Sequence, residues 1–305
     1  FVAVYDRNEV WKVNPKTNEM LAGIGVGKGP VSLALSRDGS ILACVNRLGN
    51  TVSLIRLADF SIAATVSCGQ TPCDVAALPG GRFVVANSFS DSLTVFAQDG
   101  SGEAQTFPVS GASVPNGIAA SERFVGVIAR VPVALMLLDA GTLAAAGSVS
   151  LEEAPVAVAA TPDGRFAVAC TKKVVLVDPA SGQISAKRDC AALDVAASGG
   201  ELYVLGGSTV DVLSPSLEPV NSIALSTPAS NIAAGNGLVS LLSPRARQWQ
   251  MHGDLTQAPQ SEAQAVRLAL GDGTHPSTDK PAVGASPQKD PQEKKPPSPG
   301  HERPK

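Results

Sequence analysis

Apolar residues in this chain come in short runs separated by turns rich in Gly, Pro, Asn and Asp, with no sustained helical spacing. Such runs predict short, well-buried β-strands. One phrase returns about every 40 residues: a small turn residue, usually Pro, an apolar strand containing Ala, a Gly turn and a second apolar strand. Its alanines are spaced 42, 43, 40, 37 and 37 residues apart: Ala34, Ala76, Ala119, Ala159, Ala196 and Ala233. Four short strands in about 40 residues are typical of a propeller blade, so the pattern predicts an all-β chain.

The repeat count predicts a seven-bladed β-propeller of four-stranded antiparallel blades. Five full repeats run from Pro30 to Thr227, a partial one precedes them, and a last one extends to about Leu270. A six-bladed ring would use Asn231 to Ala234 to complete the first blade and would leave the later strand patterns without a place. The segment from Phe1 to Tyr5 resembles a second strand, so we expect the chain start to be missing and the first strand to lie upstream. Which strand closes the first blade is left open, although closure hides the sheet edges.

A change of composition predicts two regions. Residues 1–270 carry the strand pattern, whereas residues 271–305 contain eight prolines, no aromatic residue, and many Lys, Glu, Asp and Ser residues. This composition cannot bury a core, which predicts a disordered tail.

Charge and cysteine content narrow the range of functions. The net charge of −3 argues against nucleic acid as a partner, and no apolar stretch reaches the roughly 20 residues of a membrane-spanning helix. The five cysteines include no Cys-x-x-Cys pair of the metal-binding type. Cys68 and Cys73 flank one inter-blade turn, so they are disulfide candidates in an oxidising compartment; two separate thiols are the alternative.

Several repeats resemble the YVTN repeat. The resemblance rests on Val84-Val-Ala-Asn-Ser88 with Asp91-Ser-Leu-Thr-Val-Phe96, and on Ala43-Cys-Val-Asn46 with Asn50-Thr-Val-Ser-Leu-Ile55. It spans roughly residues 1 to 250 and implies a propeller. Proteins with such repeats include bacterial surface-layer and periplasmic binding proteins. The same superfamily includes subunits of quinoprotein amine dehydrogenases, the haem d1 domain of nitrite reductases, and sugar lactonases, so the resemblance does not choose a function.

The first strand of each blade should line the central channel. Two residues before each repeated Ala the chain carries Ser32, Asp74, Gly117, Ala157, Asp194 and Asn231. The two carboxylates belong to blades well separated around the ring, which is a poor basis for an acid/base pair. They are either ligand-binding groups at the channel mouth or structural groups that bond to the backbone of neighbouring blades.

The sequence predicts no cofactor and no metal. Of the three histidines, His252, His275 and His301, the last two fall in the predicted tail. No haem attachment motif is present. Pro115-Asn116-Gly117 resembles the metal-binding Asn-Gly of gluconolactonase-like propellers, but companion Glu and Asp ligands are not evident in matching positions.

Cations gather in loops between the second and third predicted strands, including Arg47, Arg130, Lys172 and Arg245, whereas Asp residues mark the opposite turns. Such a rim would attract an anionic ligand, and a set of solvated loops is the alternative. The predicted binding residues are therefore Ser32, Asp74, Asn116, Asp194, Asn231, Arg47, Arg130, Lys172 and Arg245.

These observations favour a non-enzymatic binding scaffold in the periplasm, at the cell surface or secreted. We expect a protein, a glycan or an anionic small molecule to bind at the channel mouth. The alternative is a propeller enzyme or enzyme subunit, either a lactonase-like hydrolase or the non-haem subunit of a periplasmic dehydrogenase.

Overall fold

A computed structural model describes residues 1–15, 17, 19–235, 238–243, 248–252 and 266–269. The described strands form seven antiparallel sheets in chain order, which confirms the seven-bladed all-β propeller. In the described part of the chain the first sheet has three strands and each of the other six has four. The predicted tail, 271–305, lies outside the described residues.

The strands are, sheet by sheet, β1 Val2–Val4, β2 Glu9–Val13, β3 Met20–Gly25; β4 Pro30–Leu35, β5 Ile41–Asn46, β6 Thr51–Arg56, β7 Ser61–Ser67; β8 Pro72–Leu78, β9 Arg82–Asn87, β10 Ser92–Ala97, β11 Gln105–Pro108; β12 Ser113–Ala120, β13 Phe124–Val131, β14 Ala134–Asp139, β15 Ala145–Ser150; β16 Pro155–Ala160, β17 Phe166–Cys170, β18 Lys173–Asp178, β19 Gln183–Asp189; β20 Asp194–Ser198, β21 Glu201–Leu205, β22 Thr209–Leu213, β23 Pro219–Ala224; β24 Asn231–Gly235, β25 Leu238–Ser243, β26 Gln248–His252 and β27 Val266–Ala269. A short 3₁₀ helix, Tyr5–Arg7, follows β1.

Burial explains why the apolar runs in the sequence predict the strands. The second strands β5 and β17 are buried at every residue, because the adjacent blades cover both faces of each sheet. The outermost strand β19 alternates between exposed and partly buried residues, as expected where one face meets solvent. Continuous apolar runs therefore mark the inner strands and alternating runs mark the rim.

The core consists of apolar clusters between adjacent blades. The cluster between the fourth and fifth sheets, for example, contains Ile128, Leu135 and the fully buried Phe166. Leu242 of β25 packs against Val2 and Val13 of the first sheet. The seventh sheet thus contacts the first, which brings the two ends of the blade series together.

A buried Asn at the end of a second strand accounts for part of the repeat motif. Asn87 is fully buried, and its Nδ2 donates to Thr94 Oγ1 at 2.9 Å and to Ser92 Oγ at 3.2 Å. Asn46 makes the equivalent bonds in the second sheet, to Ser53 Oγ at 2.9 Å and to Thr51 Oγ1 at 3.1 Å. The motif residues therefore join the second strand to the third within one blade.

A substitution at Gly69 tests the packing around the buried side chain of Asn87. Its N–H donates to Thr94 Oγ1 at 3.2 Å, and a Cβ at this position would lie 2.7 Å from Asn87 Nδ2. We expect Gly69→Ala to lower the free energy of unfolding by about 1–3 kcal/mol, because a fully packed site must shift to admit the methyl group. Chemical denaturation measures this, with Gly25→Ala as the control, since no atom lies within 4 Å of a Cβ at Gly25. Equal losses in the two variants would contradict the prediction.

Candidate functional site

A cavity of about 470 Å³ occupies the channel between the innermost strands. Residues of β1, β4, β8, β12, β16, β20 and β24 line it. In four consecutive blades the first strand has an irregular register directly after its proline, which sets one extra residue against the second strand. The residues at these irregularities, Val31, Cys73, Asn116 and Val156, all border the cavity.

Asp74 joins three blades. Its Oδ1 accepts hydrogen bonds from Ser32 Oγ at 2.7 Å and from its neighbour Val75 N–H at 2.9 Å, and its Oδ2 accepts from Ile118 N–H at 2.9 Å. Ser32 belongs to the second blade and Ile118 to the fourth. Protein atoms surround this carboxyl group densely, so burial raises its pKa despite these three hydrogen bonds.

Asp194 repeats this arrangement three blades further on. Its Oδ1 accepts from Val195 N–H and its Oδ2 from Ile232 N–H of the seventh blade, both at 2.9 Å. Burial, with a smaller contribution from the charge of Asp74, raises the pKa of Asp194 to about 6. Although their blades are well separated in the ring, both carboxylates line one cavity.

The two amides of the predicted ring have different surroundings. Asn116 Nδ2 donates to Pro155 O of the next blade at 3.2 Å, while its buried Oδ1 accepts no hydrogen bond from a described residue. Asn231 is exposed, and its Oδ1 accepts a hydrogen bond from Ser230 Oγ at 2.8 Å. The structure therefore brings Ser32, Asp74, Asn116, Asp194 and Asn231 to one channel, where Ser32, Asp74, Asn116 and Asp194 connect neighbouring blades.

The candidate disulfide partners are separate in the structure. All five cysteines lie within the described residues and are free thiols. Cys68 packs against the cluster between the second and third sheets, whereas Cys73 packs against the next cluster and donates to Ala86 O at 3.3 Å. Burial raises the pKa of the Cys68 thiol to about 12 and that of Cys73 to about 11.

The loops that join second to third strands lie with the inter-blade segments on one face of the propeller, here called the mouth face. Its position is set by the register, because each repeat proline pairs with a residue at or near the end of the second strand: Pro30 with Asn46, Pro72 with Asn87, Pro115 with Ala129, and Pro155 with Cys170. Positions counted from these paired residues can therefore be compared between blades, although in the fourth blade the second strand continues to Val131.

Of the predicted cations, Arg47, Arg130 and Lys172 lie on this face, in two different settings. Arg47 and Arg130 directly follow the paired residues Asn46 and Ala129, and neither forms an ion pair with a described residue. Lys172 is exposed, and its backbone N–H donates a hydrogen bond to Glu153 Oε2 at 3.0 Å. Arg245 lies outside the described residues.

Carboxylates also reduce the positive charge near Lys172. Lys173 Nζ lies 2.5 Å from Glu152 Oε2 and 3.8 Å from Glu153 Oε1. On the described mouth face, Lys28, Arg47 and Arg130 form no ion pair with a described residue, whereas the lysines of the fifth blade lie beside carboxylates.

Sequence reasoning missed an apolar feature at the same ends of the second strands. Leu48, Phe89 and Val131 are 63%, 76% and 61% exposed, more than any other large apolar residue among those described. Each stands two places after a residue that pairs with a repeat proline, in three consecutive blades. We call these three residues the apolar arc. Aligning the loops by their buried strand ends is the sequence signal that could have revealed it.

Backbone hydrogen bonds hold the apolar arc in place. Leu48 N–H donates to Lys28 O at 3.1 Å, and Phe89 N–H donates to Gln70 O at 3.2 Å. Val131 pairs with Ser113 in the ladder between β12 and β13. Each exposed side chain thus projects from a backbone that is tied to the segment entering its own blade.

A second cavity, of about 550 Å³, opens among the turns at the other ends of the strands. Arg37 reaches across it from the second blade to the fourth, where it pairs with Glu122 and donates to Ser121 O at 2.8 Å. The Asp residues predicted on this face organise turns; Asp139 Oδ1, for example, accepts from Thr142 N–H at 2.8 Å. Such hydrogen bonds hold the pKa of Asp139 below its usual value.

The described residues contain no group of three His, Cys, Asp or Glu side chains arranged to hold a metal ion. They also contain no helix of the length and apolar character that a membrane crossing requires.

Comparison with known proteins identifies the fold class. No protein-family model matches the sequence, and no curated protein sequence matches it. Among solved structures, the chain is similar to hydrazine synthase from Kuenenia stuttgartiensis, with a TM-score of 0.63 and 17% identity over 76% of this chain and 80% of that one.

Two further solved structures resemble the chain. The dihydro-heme d1 dehydrogenase NirN in complex with DHE has a TM-score of 0.66 and 14% identity, covering 88% of this chain and 63% of that one. Virginiamycin B lyase from Staphylococcus aureus has a TM-score of 0.63 and 13% identity, and the match covers 73% of this chain and 80% of that one. At these identities the similarity establishes a β-propeller and leaves the function open.

Proposed function

We propose that this protein is a non-enzymatic binding scaffold whose mouth face binds an anionic partner. One observation carries the proposal: the mouth-face loops are held rigidly by backbone hydrogen bonds while they expose Arg47 and Arg130 without ion partners among the described residues. Rigid, charged loops lose little conformational entropy on binding and attract a partner of opposite charge.

The bonding of the channel carboxylates supports this reading over an enzymatic one. Each carboxylate accepts a hydrogen bond from a backbone N–H in the first strand of the next blade. The donor to Asp74 is Ile118, and the donor to Asp194 is Ile232. A group that ties two blades together serves the rigidity of the ring. The resemblance to YVTN repeats, which occur in surface-layer and periplasmic binding proteins, agrees with a scaffold role outside the cytoplasm.

An enzymatic role is the second candidate, favoured by one specific observation. Asp194, with a pKa of about 6, lines a cavity of about 470 Å³ together with Asp74, and a carboxyl group titrating near neutrality suits general acid or base chemistry. Steady-state assays with lactone substrates, comparing the wild type with Asp194→Asn, test this candidate. Turnover that is lost in the variant would favour it.

The test of the scaffold proposal is a binding screen of the whole chain against anionic glycans and acidic proteins. We expect affinity to fall as salt is raised from 50 to 300 mM, because ions screen exposed charges. The double variant Arg47→Glu with Arg130→Glu should bind about tenfold more weakly still. Arg123→Glu is the matched control, since Arg123 is exposed at the start of the second strand, far from the mouth-face loops. Unchanged affinity in the double variant would place the binding surface elsewhere.

A further inference from the structure

The apolar arc and the two arginines form one composite surface on the second to fourth blades. Arg47 and Arg130 directly precede Leu48 and Val131 in the chain, and Phe89 stands at the corresponding position of the blade between them. An ideal Cβ on Gly29 would lie 2.8 Å from Leu48 Cγ and 3.1 Å from Tyr5 Cε2, so the half-exposed Tyr5 extends the apolar surface next to Leu48.

The apolar arc is unusual in its regularity. Single exposed apolar side chains are normal on protein surfaces, but clustered ones mark interaction sites. Here the three most exposed large apolar residues among those described each stand two places after the partner of a repeat proline, in consecutive blades. Hydrogen bonds hold the backbone of these residues at the surface.

The charge of the surrounding loops selects the partner. In the mouth-face segments of the second to fourth blades the charged residues are Lys28, Arg47, Asp91 and Arg130, and Asp6 and Arg7 beside Tyr5 add one charge of each sign. Asp91 Oδ1 accepts Val114 N–H at 2.6 Å. This part of the face is therefore cationic within a protein whose net charge is −3.

We propose that this composite surface docks an acidic protein segment that carries large apolar side chains. The inference rests on the proposed scaffold function and names the class of partner. Apolar side chains of the segment would cover Leu48, Phe89 and Val131, and its carboxylates would pair with Arg47 and Arg130. An anionic glycan would satisfy the arginines alone and would leave the apolar arc in water.

A selection from random 12-residue peptides displayed on phage, using the full chain as bait, tests the partner class. We expect the enriched peptides to combine Asp or Glu with Leu, Ile, Phe or Trp. Enrichment of peptides without acidic residues, or of none at all, would overturn the inference. Binding of heparin that depends on the arginines but not on the apolar arc would also overturn it, in favour of a purely anionic ligand.

Synthetic versions of the selected peptides then locate the surface by fluorescence anisotropy. Leu48→Ser with Phe89→Ser should weaken binding about 30-fold, the effect of losing a central apolar anchor. The matched control is Leu21→Ser with Ile62→Ser, at residues that are 56% and 40% exposed on outermost strands. Equal unfolding midpoints in all variants confirm that the fold is intact.

The outcomes separate this inference from the scaffold proposal. Selected peptides that bind the wild type and the Leu48, Phe89 variant equally would overturn the composite surface, while the chain would still be a scaffold with another binding face. Catalytic turnover lost in Asp194→Asn would instead contradict the scaffold function itself.

Discussion

Replacing Phe166 with Ala should lower the free energy of unfolding by about 3–5 kcal/mol, whereas the same replacement at Phe89 should change it by less than about 0.5 kcal/mol. Phe166 is fully buried in the cluster between the fourth and fifth sheets, and Phe89 is 76% exposed. The large loss has two causes: the ring returns to water on unfolding, and close-packed neighbours cannot collapse into the cavity left behind.

The packing around Phe166 shows why relaxation is limited. A Cβ built on Gly126 would lie 3.0 Å from Phe166 Cδ1, so the ring of one blade presses on the bare backbone of the next. Denaturant unfolding of the two Ala variants measures both changes under the same conditions. A loss below about 1 kcal/mol for Phe166→Ala would contradict the inter-blade core described above.

The second large effect concerns the dependence of stability on pH. The folded pKa of Asp194 is about 6, above the ordinary value of 3.8, so the folded protein holds this proton more tightly than the unfolded chain. The resulting stabilisation is complete below about pH 4 and is lost as the pH rises through 6. A shift of this size corresponds to about 3 kcal/mol. The pKa of Asp74 is raised for the same reason and adds a change of the same sign.

Urea unfolding between pH 4 and pH 7 tests this expectation. Asp194→Asn should remove much of the loss of stability across that range, because the amide does not titrate. Asp178→Asn is the control, since Asp178 is the partly buried last residue of β18 and the N–H of Ala180 lowers its pKa, so that it titrates below this range. A wild-type slope in Asp194→Asn would show that the channel carboxylate is not responsible.

The fold class was predictable because its causes are local. Middle strands that neighbouring blades cover on both faces must be apolar throughout, as in Ile41–Asn46, and Gly and Asp are favoured in the intervening turns. In the third blade the apolar runs predict strands at Asp74 to Leu78, Phe83 to Asn87, Ser92 to Phe96 and Ala104 to Val109, and β8 to β11 agree with them within two residues. The spacing of about 40 residues then leads to the blade count. These properties depend on neighbours along the chain, so the sequence alone reveals them.

The roles of particular side chains depended on contacts between distant residues. The sequence shows two aspartates in first strands, but only the ring of strands brings Asp74 to Ile118 N–H and Asp194 to Ile232 N–H. Likewise, the sequence does not show which arginines form ion pairs. Arg37 pairs with Glu122, which is 85 residues away in the chain.

The same limit applies to the apolar residues. Phe166 and Phe89 are the same residue type, and what separates them is whether an adjacent blade covers the ring. The sequence by itself determined the strands, the turns and the number of blades, because hydrophobic periodicity and turn chemistry are local. The tertiary structure alone decided which side chains join blades, which carboxyl groups have a raised pKa, and which apolar residues stay in water. Those properties follow from burial and hydrogen bonding between residues far apart in the chain.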